Sequence, residues 1–354
     1  MNLAKKRILP VICAAIVIVS TVMFTSCGNK KNNDTSSKKN DISSAEKITL
    51  TTENNISPDI VDDLDTTGES DITPSMWTVT GKNGAVVTLM GSMHALKESD
   101  YPMPKELHDA YDSADILAVE ADITEAGSLT FQSAMLAGMY YDDVKDELSK
   151  HLSQKAYEAL DKYLDLYSLD ITAYTKMRPW AVYSVVENLP LQRSDLSGDL
   201  GLDKYLLIKA HDDEKEIYEV EGMEYQFDMF TQLSDDSYSF QFEALANRTI
   251  ESDIESLDKL HEAWATGDID HIEELANEEI ETDDKYAEAV SEYEKKIYID
   301  RNQGMKEAAE NFLNGDKNVL FVVGAAHYAG DNGIISLLEK DGYTVEPVKY
   351  VKDY

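Results

Sequence analysis

Two histidines stand in the same local setting at opposite ends of the chain. His94 closes the run Ala85 to His94, AVVTLMGSMH, and His327 closes Asn318 to His327, NVLFVVGAAH. Each is an apolar run followed by Gly-x-x-His. An apolar run of this length between polar residues suits a strand buried on both faces. The glycine lets the backbone turn and approach a neighbour closely. The histidine then falls at the carboxyl end of a strand, where open α/β sheets hold their ligands. A third strand, Asp115 to Glu120 (DILAVE), ends in a carboxylate. Two imidazoles and a carboxylate, with no thiol, form a donor set for zinc, manganese or cobalt. A cation with three protein ligands keeps a position for water, lowers the pKa of that water and polarises a carbonyl. That is amide or ester hydrolysis without a side-chain nucleophile. On this reading His94, Glu120 and His327 are metal ligands and Glu120 is alternatively the general base. Arg301 stabilises developing oxyanion charge, and Asn302 orients water or substrate. The plainer alternative makes the histidines loop or packing residues, Glu120 an ion-pair partner and Arg301 the neutraliser of a buried acid. The spacing differs from the local His-Glu-x-x-His helix of common zinc proteases, so only the fold could assemble such a set.

The elements that must do so lie at the two ends of the domain. Trp77 to Thr80 and Ala85 to Met90 read as a hairpin turned at Gly81 to Gly84. A helix from Pro104 to Ser113 follows, with proline tolerated at its start, and leads into the strand ending at Glu120. From Ala121 to about Asn314 the pattern is helical. Apolar residues recur at three- and four-residue steps in Ser153 to Tyr167. Further helices are expected from Arg178 through Val186, over Gly201 to His211, Ile254 to Ala265, Ile269 to Glu278 and Lys285 to Tyr298, and from Asp300 into Phe312. Ile217 to Val220 is a candidate short strand. The C-terminal unit repeats the strand–helix–strand form, with a helix over Gly333 to Lys340 and a last strand over Tyr343 to Val348. The expected fold class is therefore α/β (α+β). A mixed central sheet is built from two strand-GxxH-helix-strand halves, with a large helical insertion at about 123–314. Trp180 reads as core. Asp203 and Glu221 read as helix-packing or supporting groups. His108, His151, His211, His261 and His271 read as surface.

Composition narrows the function classes. The only two cysteines, Cys13 and Cys27, precede the predicted domain, so disulfide, cysteine-nucleophile and iron–sulfur chemistry are excluded there. Lys5, Lys6 and Arg7 followed by an apolar run from Ile8 to Phe24 form an export signal. Phe24-Thr25-Ser26-Cys27-Gly28 resembles a bacterial lipobox, which makes Cys27 the lipidation site and 1–27 the signal peptide. An uncleaved anchor and ordinary secretion are the alternatives. Residues 28–75 are polar, with too little apolar surface to offset ordering entropy, and read as a disordered linker. As a flexible coil the linker would span on the order of 40 Å. The domain occupies 76–354. The chain carries a formal charge of -36, concentrated in that domain, which argues against nucleic acid as a partner.

These residues together resemble the TraB/GumN (Tiki-like) family, and a bacterial lipoprotein member of it. GSMH at 91–94 and GAAH at 324–327 match its paired Gly-x-x-His motifs. Val323 to Val345, VGAAHYAGDNGIISLLEKDGYTV, matches its C-terminal stretch. LAVEAD at 117–122, RPWAVY at 178–183, GLDKYLLIKA at 201–210, EVEGMEYQF at 219–227 and IDRNQGM at 299–305 follow in the family's order. One departure is Val220-Glu221-Gly222 where Leu-Glu-Thr is usual. The resemblance implies a fold akin to erythromycin-esterase-like and ChaN-like proteins. It also implies a metal-dependent, peptidase-like hydrolase using a divalent metal (Mn, Co or Zn) on a peptide or small extracellular substrate. Lipid anchoring would hold the protein on the extracellular side of the cell membrane. The alternative is a non-catalytic module that sequesters a peptide, haem or metal in the same cleft; a third reading is a surface protein with a decayed site.

Overall fold

The computed structural model describes residues 3–7, 69–124, 129–276 and 279–351. Cys27 and most of the predicted signal and linker lie outside the described residues. The packed chain begins slightly before Met76. Ile72 is buried, and the Thr73 N–H donates to the Ala265 carbonyl.

Six strands build the central sheet: β1 (Met76–Thr80), β2 (Val86–Ser92), β3 (Ile116–Val119), β4 (Glu216–Glu219), β5 (Val319–Gly324) and β6 (Val345–Pro347). Their spatial order is β4-β3-β5-β2-β1-β6. β4, β3, β5 and β2 run parallel, while β1 is antiparallel to both its neighbours. The expected mixed sheet is therefore present. β3 and β5 are buried at every residue, as their unbroken apolar sequences require. β4 reads Glu-Ile-Tyr-Glu and forms an edge, its charges discouraging further pairing.

Alternation along the strands sorts the core into two faces. Met90, Leu117, Val119, Leu320 and Val322 face one layer, covered by the helices Lys105–Ser113, Leu202–Asp212 and Ile250–Thr266. Val87, Leu89, Ala118, Phe321 and Val323 face the other, covered by Asp300–Leu313 and Ile334–Lys340. A separate apolar core fills the helical lobe, where Tyr163, Trp180, Tyr183, Phe242 and Ile297 meet.

Three differences from the sequence reading have local causes. The helices Met223–Thr231 and Asp235–Ala244 lie within the expected helical stretch but were not delimited individually. The second buries Ser237 through Phe242 around its circumference, so its sequence carries no apolar stripe. The expected helix to Tyr298 ends as an α-helix at Glu294 and passes through a π turn, Lys295–Ile299, into Asp300–Leu313. Glu279–Asp283 is a strand paired antiparallel with Leu3–Arg7 in a separate ribbon. Among the described residues no helix is long and apolar enough to cross a membrane.

Candidate functional site

The register places the chemistry. Ser92 of β2 pairs with Gly324 of β5, Val119 of β3 pairs with Val322 of β5, and Val119 pairs with Glu219 of β4. Four parallel strands thus end along one edge, and His94, His327, Glu120 and Glu221 follow them in turn. The last strand of the four in sequence, β5, sits between the first two. Separation of 233 positions in the chain becomes adjacency in the sheet for the two Gly-x-x-His turns.

Glu120 is the hub. Its Oε1 accepts the Gly324 backbone N–H at 2.7 Å. Its Oε2 accepts from Arg301 Nη2 at 2.6 Å and from Gln226 Nε2 at 3.0 Å. Arg301 forks across Glu221 as well, Nε to Oε1 at 2.8 Å and Nη2 to Oε2 at 2.9 Å. The Gln226 amide also donates to Glu221 Oε2 at 3.0 Å. Arg301 is 1% exposed. Two buried carboxylates therefore share one buried guanidinium. Burial raises the Glu120 pKa above the ordinary carboxylate value; Arg301 opposes that rise and Glu221 adds to it. Burial disfavours the Arg301 charge, but Glu221 and Glu120 more than offset it, so the guanidinium stays protonated.

His327 is fully buried beside this pair. Its Nδ1 lies 2.6 Å from Asn302 Oδ1, while Asn302 Nδ2 donates to the Asn332 carbonyl at 2.9 Å. The amide oxygen accepts, so Nδ1 carries the proton. Burial, Arg301 and His94 push the His327 pKa well below its ordinary value, so the ring is neutral. Its other nitrogen, Nε2, is an unprotonated acceptor that makes no hydrogen bond, 3.9 Å from Glu120 Oε1. Arg301 Nη1 and Gln226 Oε1 are likewise buried without hydrogen-bond partners. Tyr298, delivered by the π turn, lays its ring 5.9 Å from the His327 ring. A π turn at a functional cluster is a recurring association.

His94 is held the same way by a different group. Its Nδ1 lies 2.7 Å from Asp203 Oδ2, and Asp203 Oδ1 accepts from the Ser92 hydroxyl at 2.8 Å. Burial opposes the Asp203 charge, yet His94 and Ser92 bring its pKa below the ordinary carboxylate value. Gly201 makes this possible. A Cβ there would lie 2.2 Å from the His94 carbonyl oxygen, so only glycine lets the Leu202–Asp212 helix start against the histidine turn. His94 is near enough for its charge to act on both Glu120 and His327.

The structure thus brings Glu120, His327, Arg301 and Asn302 into one cluster and sets His94 at its rim. Asp203 and Glu221 are supporting groups. Gln226 and Tyr298 were given no role; Gln226 lies within the family motif at 219–227, and the π turn that aims Tyr298 has no sequence signal that we recognise. His261 is a correction. It is buried against Asp100 at 2.8 Å rather than exposed.

A model of the TraB/PrgY/gumN family matches residues 75–347. The chain belongs to this family. It is 25% identical to a metalloprotease TIKI homolog of Nematostella vectensis over 219 residues, 56% of this chain and 46% of that protein. It is 26% identical to the uncharacterized protein YbaP of Escherichia coli K12 over 147 residues, 42% of this chain and 52% of that one. The chain therefore spans about half the length of these relatives. No solved structure matches.

Whether this TraB/PrgY/gumN member suits a metal can be judged from its donors. Zinc bonds to imidazole nitrogen and carboxylate oxygen are roughly 2.0–2.2 Å, so two donors on one ion lie at most about 4.2 Å apart. The 3.9 Å between His327 Nε2 and Glu120 Oε1 falls within that reach. The unbonded Nε2, its neutral ring and an Nδ1–H fixed by a partner are the marks of a ligating histidine with outer support. Among the described residues, however, no three His, Cys, Asp or Glu side chains are gathered as a ligand set. His327 Nε2 and Glu120 Oε1 are thus two donors within bridging reach of each other, and His94 stands at the same sheet edge with its Nδ1 on Asp203.

Proposed function

We propose that this protein is a metal-dependent, peptidase-like hydrolase. The observation that carries the reading is the unbonded His327 Nε2, buried and facing Glu120. His327 and Glu120 would hold the divalent metal, with His94 completing the set. The bound metal would supply a water of lowered pKa and polarise the scissile carbonyl. Asn302 keeps the His327 proton on Nδ1 and so keeps Nε2 available. Alternatively Glu120, its pKa raised by burial, would serve not as a ligand but as the general base toward the water. Arg301 keeps both N–H groups of Nη1 uncommitted and would stabilise developing oxyanion charge. The distant metalloprotease TIKI homolog supports this class. By the same reading the substrate is a peptide or small extracellular molecule, and Cys27 carries a lipid that tethers the domain outside the cell membrane.

The test is cleavage of a peptide library by purified protein with manganese, cobalt or zinc added singly, read by mass spectrometry. Metal-dependent cleavage is expected in the wild type, and its loss in His327→Ala and His94→Ala. Cleavage that ignores both the metal and the substitutions would refute the proposal. No cleavage with any metal would leave the sequestering module as the better account.

A further inference from the structure

Each carboxylate oxygen has about two acceptor sites, and around Glu120 the donors that fill them can be counted. Glu120 Oε2 takes Arg301 Nη2 at 2.6 Å and Gln226 Nε2 at 3.0 Å. Glu221 Oε2 takes the same two donors, at 2.9 and 3.0 Å. Nη2 and Nε2 carry two hydrogens each, so four hydrogens and four acceptor sites close into one ring. Both Oε2 atoms are thereby filled. Among the described residues Glu120 Oε1 accepts the Gly324 N–H alone, at 2.7 Å, and keeps one acceptor site, with His327 Nε2 3.9 Å away.

Gln226 holds its side of the ring in a fixed sense. Turning the amide over would set its oxygen 3.0 Å from two carboxylate oxygens, none of which can donate. The backbone builds this contact from Glu120 itself. The Glu221 and Gly222 N–H groups both donate to the Glu120 carbonyl at 2.9 Å. Gly222 has a φ of 81°, so the departure from the family's threonine falls at a backbone angle that suits glycine. The Met223–Thr231 helix starts there, and one turn on Gln226, 3% exposed, returns to the carboxylate of the same Glu120. Arg301 supplies the charge that the two acids need. Gln226 is neutral, so what it contributes to Glu120 is direction.

We propose that Gln226 is a positioning residue that limits Glu120 to one-oxygen ligation through Oε1, and so biases the site toward a small cation such as zinc over calcium. To chelate with both oxygens, Glu120 would have to give up the bonds at Oε2. Zinc accepts a single carboxylate oxygen beside imidazole nitrogen, at roughly 2.0–2.2 Å. Calcium gathers roughly six to eight oxygens at 2.3–2.6 Å, commonly both from one carboxylate. The ligation rests on the hydrolase reading with Glu120 as a ligand; the hold of Gln226 on Glu120 does not.

The experiment compares the full-length wild type with Gln226→Met, which keeps the side-chain length and removes both donors. Zinc and calcium are titrated singly by calorimetry. The wild type is expected to prefer zinc, and Gln226→Met to narrow the zinc-to-calcium affinity ratio by about tenfold or more. Without metal, amide exchange at Gly324, read by NMR, should quicken about five- to tenfold in the variant, because Glu120 is no longer steadied. The zinc-edge X-ray absorption spectrum of the loaded wild type needs no variant and should show no chelating carboxylate. An unchanged affinity ratio, an equal loss of both affinities, unchanged exchange at Gly324 or a chelating carboxylate on zinc overturns the inference. A wild type that binds neither cation removes the hydrolase reading along with it. A wild type that binds zinc, with the same selectivity in Gln226→Met, removes the inference alone.

Discussion

Arg301→Met tests the central arrangement most directly. The substitution keeps the length and apolar stem of the side chain but removes three charge-assisted contacts, to Glu120 at 2.6 Å and to Glu221 at 2.8 and 2.9 Å. Two carboxylates are left facing each other with side chains about 6% exposed. Removing one partner of a buried ionic group costs roughly 3–5 kcal/mol, a large share of the 5–15 kcal/mol typical of whole domains. The cost must depend on pH. The Glu120 pKa is already raised in the folded state, so its contribution is most favourable at low pH and declines as pH rises through the folded value. Without Arg301 that value rises further. At pH 8 the variant must hold Glu120 protonated or hold two adjacent charges, and the full penalty appears. Toward pH 4.5 protonation of Glu120 is favoured and the penalty shrinks. Urea unfolding of both proteins at pH 4.5, 6 and 8 should therefore show a stability gap that widens with pH. A gap below about 1 kcal/mol at pH 8, or one that is flat with pH, would show that Arg301 does not neutralise this pair. The triple variant Glu120→Gln, Glu221→Gln, Arg301→Met should recover most of the loss, because buried ion groups replaced as a set are close to neutral.

Three further outcomes follow from the same geometry. Asn302→Leu removes the acceptor that holds the His327 proton on Nδ1, and should weaken manganese or zinc binding about 10- to 100-fold by calorimetry; Asn302→Asp, which keeps an acceptor, should restore most of it. Gly201→Ala forces a Cβ to within 2.2 Å of the His94 carbonyl, and should lower stability by about 1–3 kcal/mol in thermal unfolding. Asp203→Asn should flatten the acid limb of the stability profile. The Asp203 pKa is lowered in the folded state, so its stabilisation is present above the ordinary carboxylate range and lost as pH falls through the folded value. Acid titration followed by circular dichroism measures that limb.

The sheet and its strand-end residues were legible because their signals are local. The unbroken apolar runs before His94, Glu120 and His327 could only be buried strands, and the strand ends followed. What could not be read was adjacency. Nothing in the runs themselves says that β5 lies between β2 and β3, and only that placement brings Glu120 within 3.9 Å of His327. Arg301 and Asn302 were found by family pattern, but their partners were not. Which acid takes a guanidinium depends on how the Asp300–Leu313 helix packs, and the choice among 68 acidic residues is open in the sequence. Gln226 stood inside a family motif, but its role was closed to the sequence for a related reason. Its contacts with Glu120 and Glu221 depend on how the Met223–Thr231 helix packs against the strand ends. His261 was misread because a histidine flanked by Leu260 and Glu262 resembles a surface position until Asp100 is brought to it from far upstream.

The position of β5 also dictates when the molecule can begin to work. Until Val319–Gly324 has been synthesised, β2 and β3 have no strand between them, and in the finished sheet they stand two strand spacings apart, about 10 Å. Neither Gly324, whose amide steadies Glu120, nor His327 yet exists to fill that gap. A chain cut before β5 therefore lacks the residues that complete the cluster on which the proposed function rests.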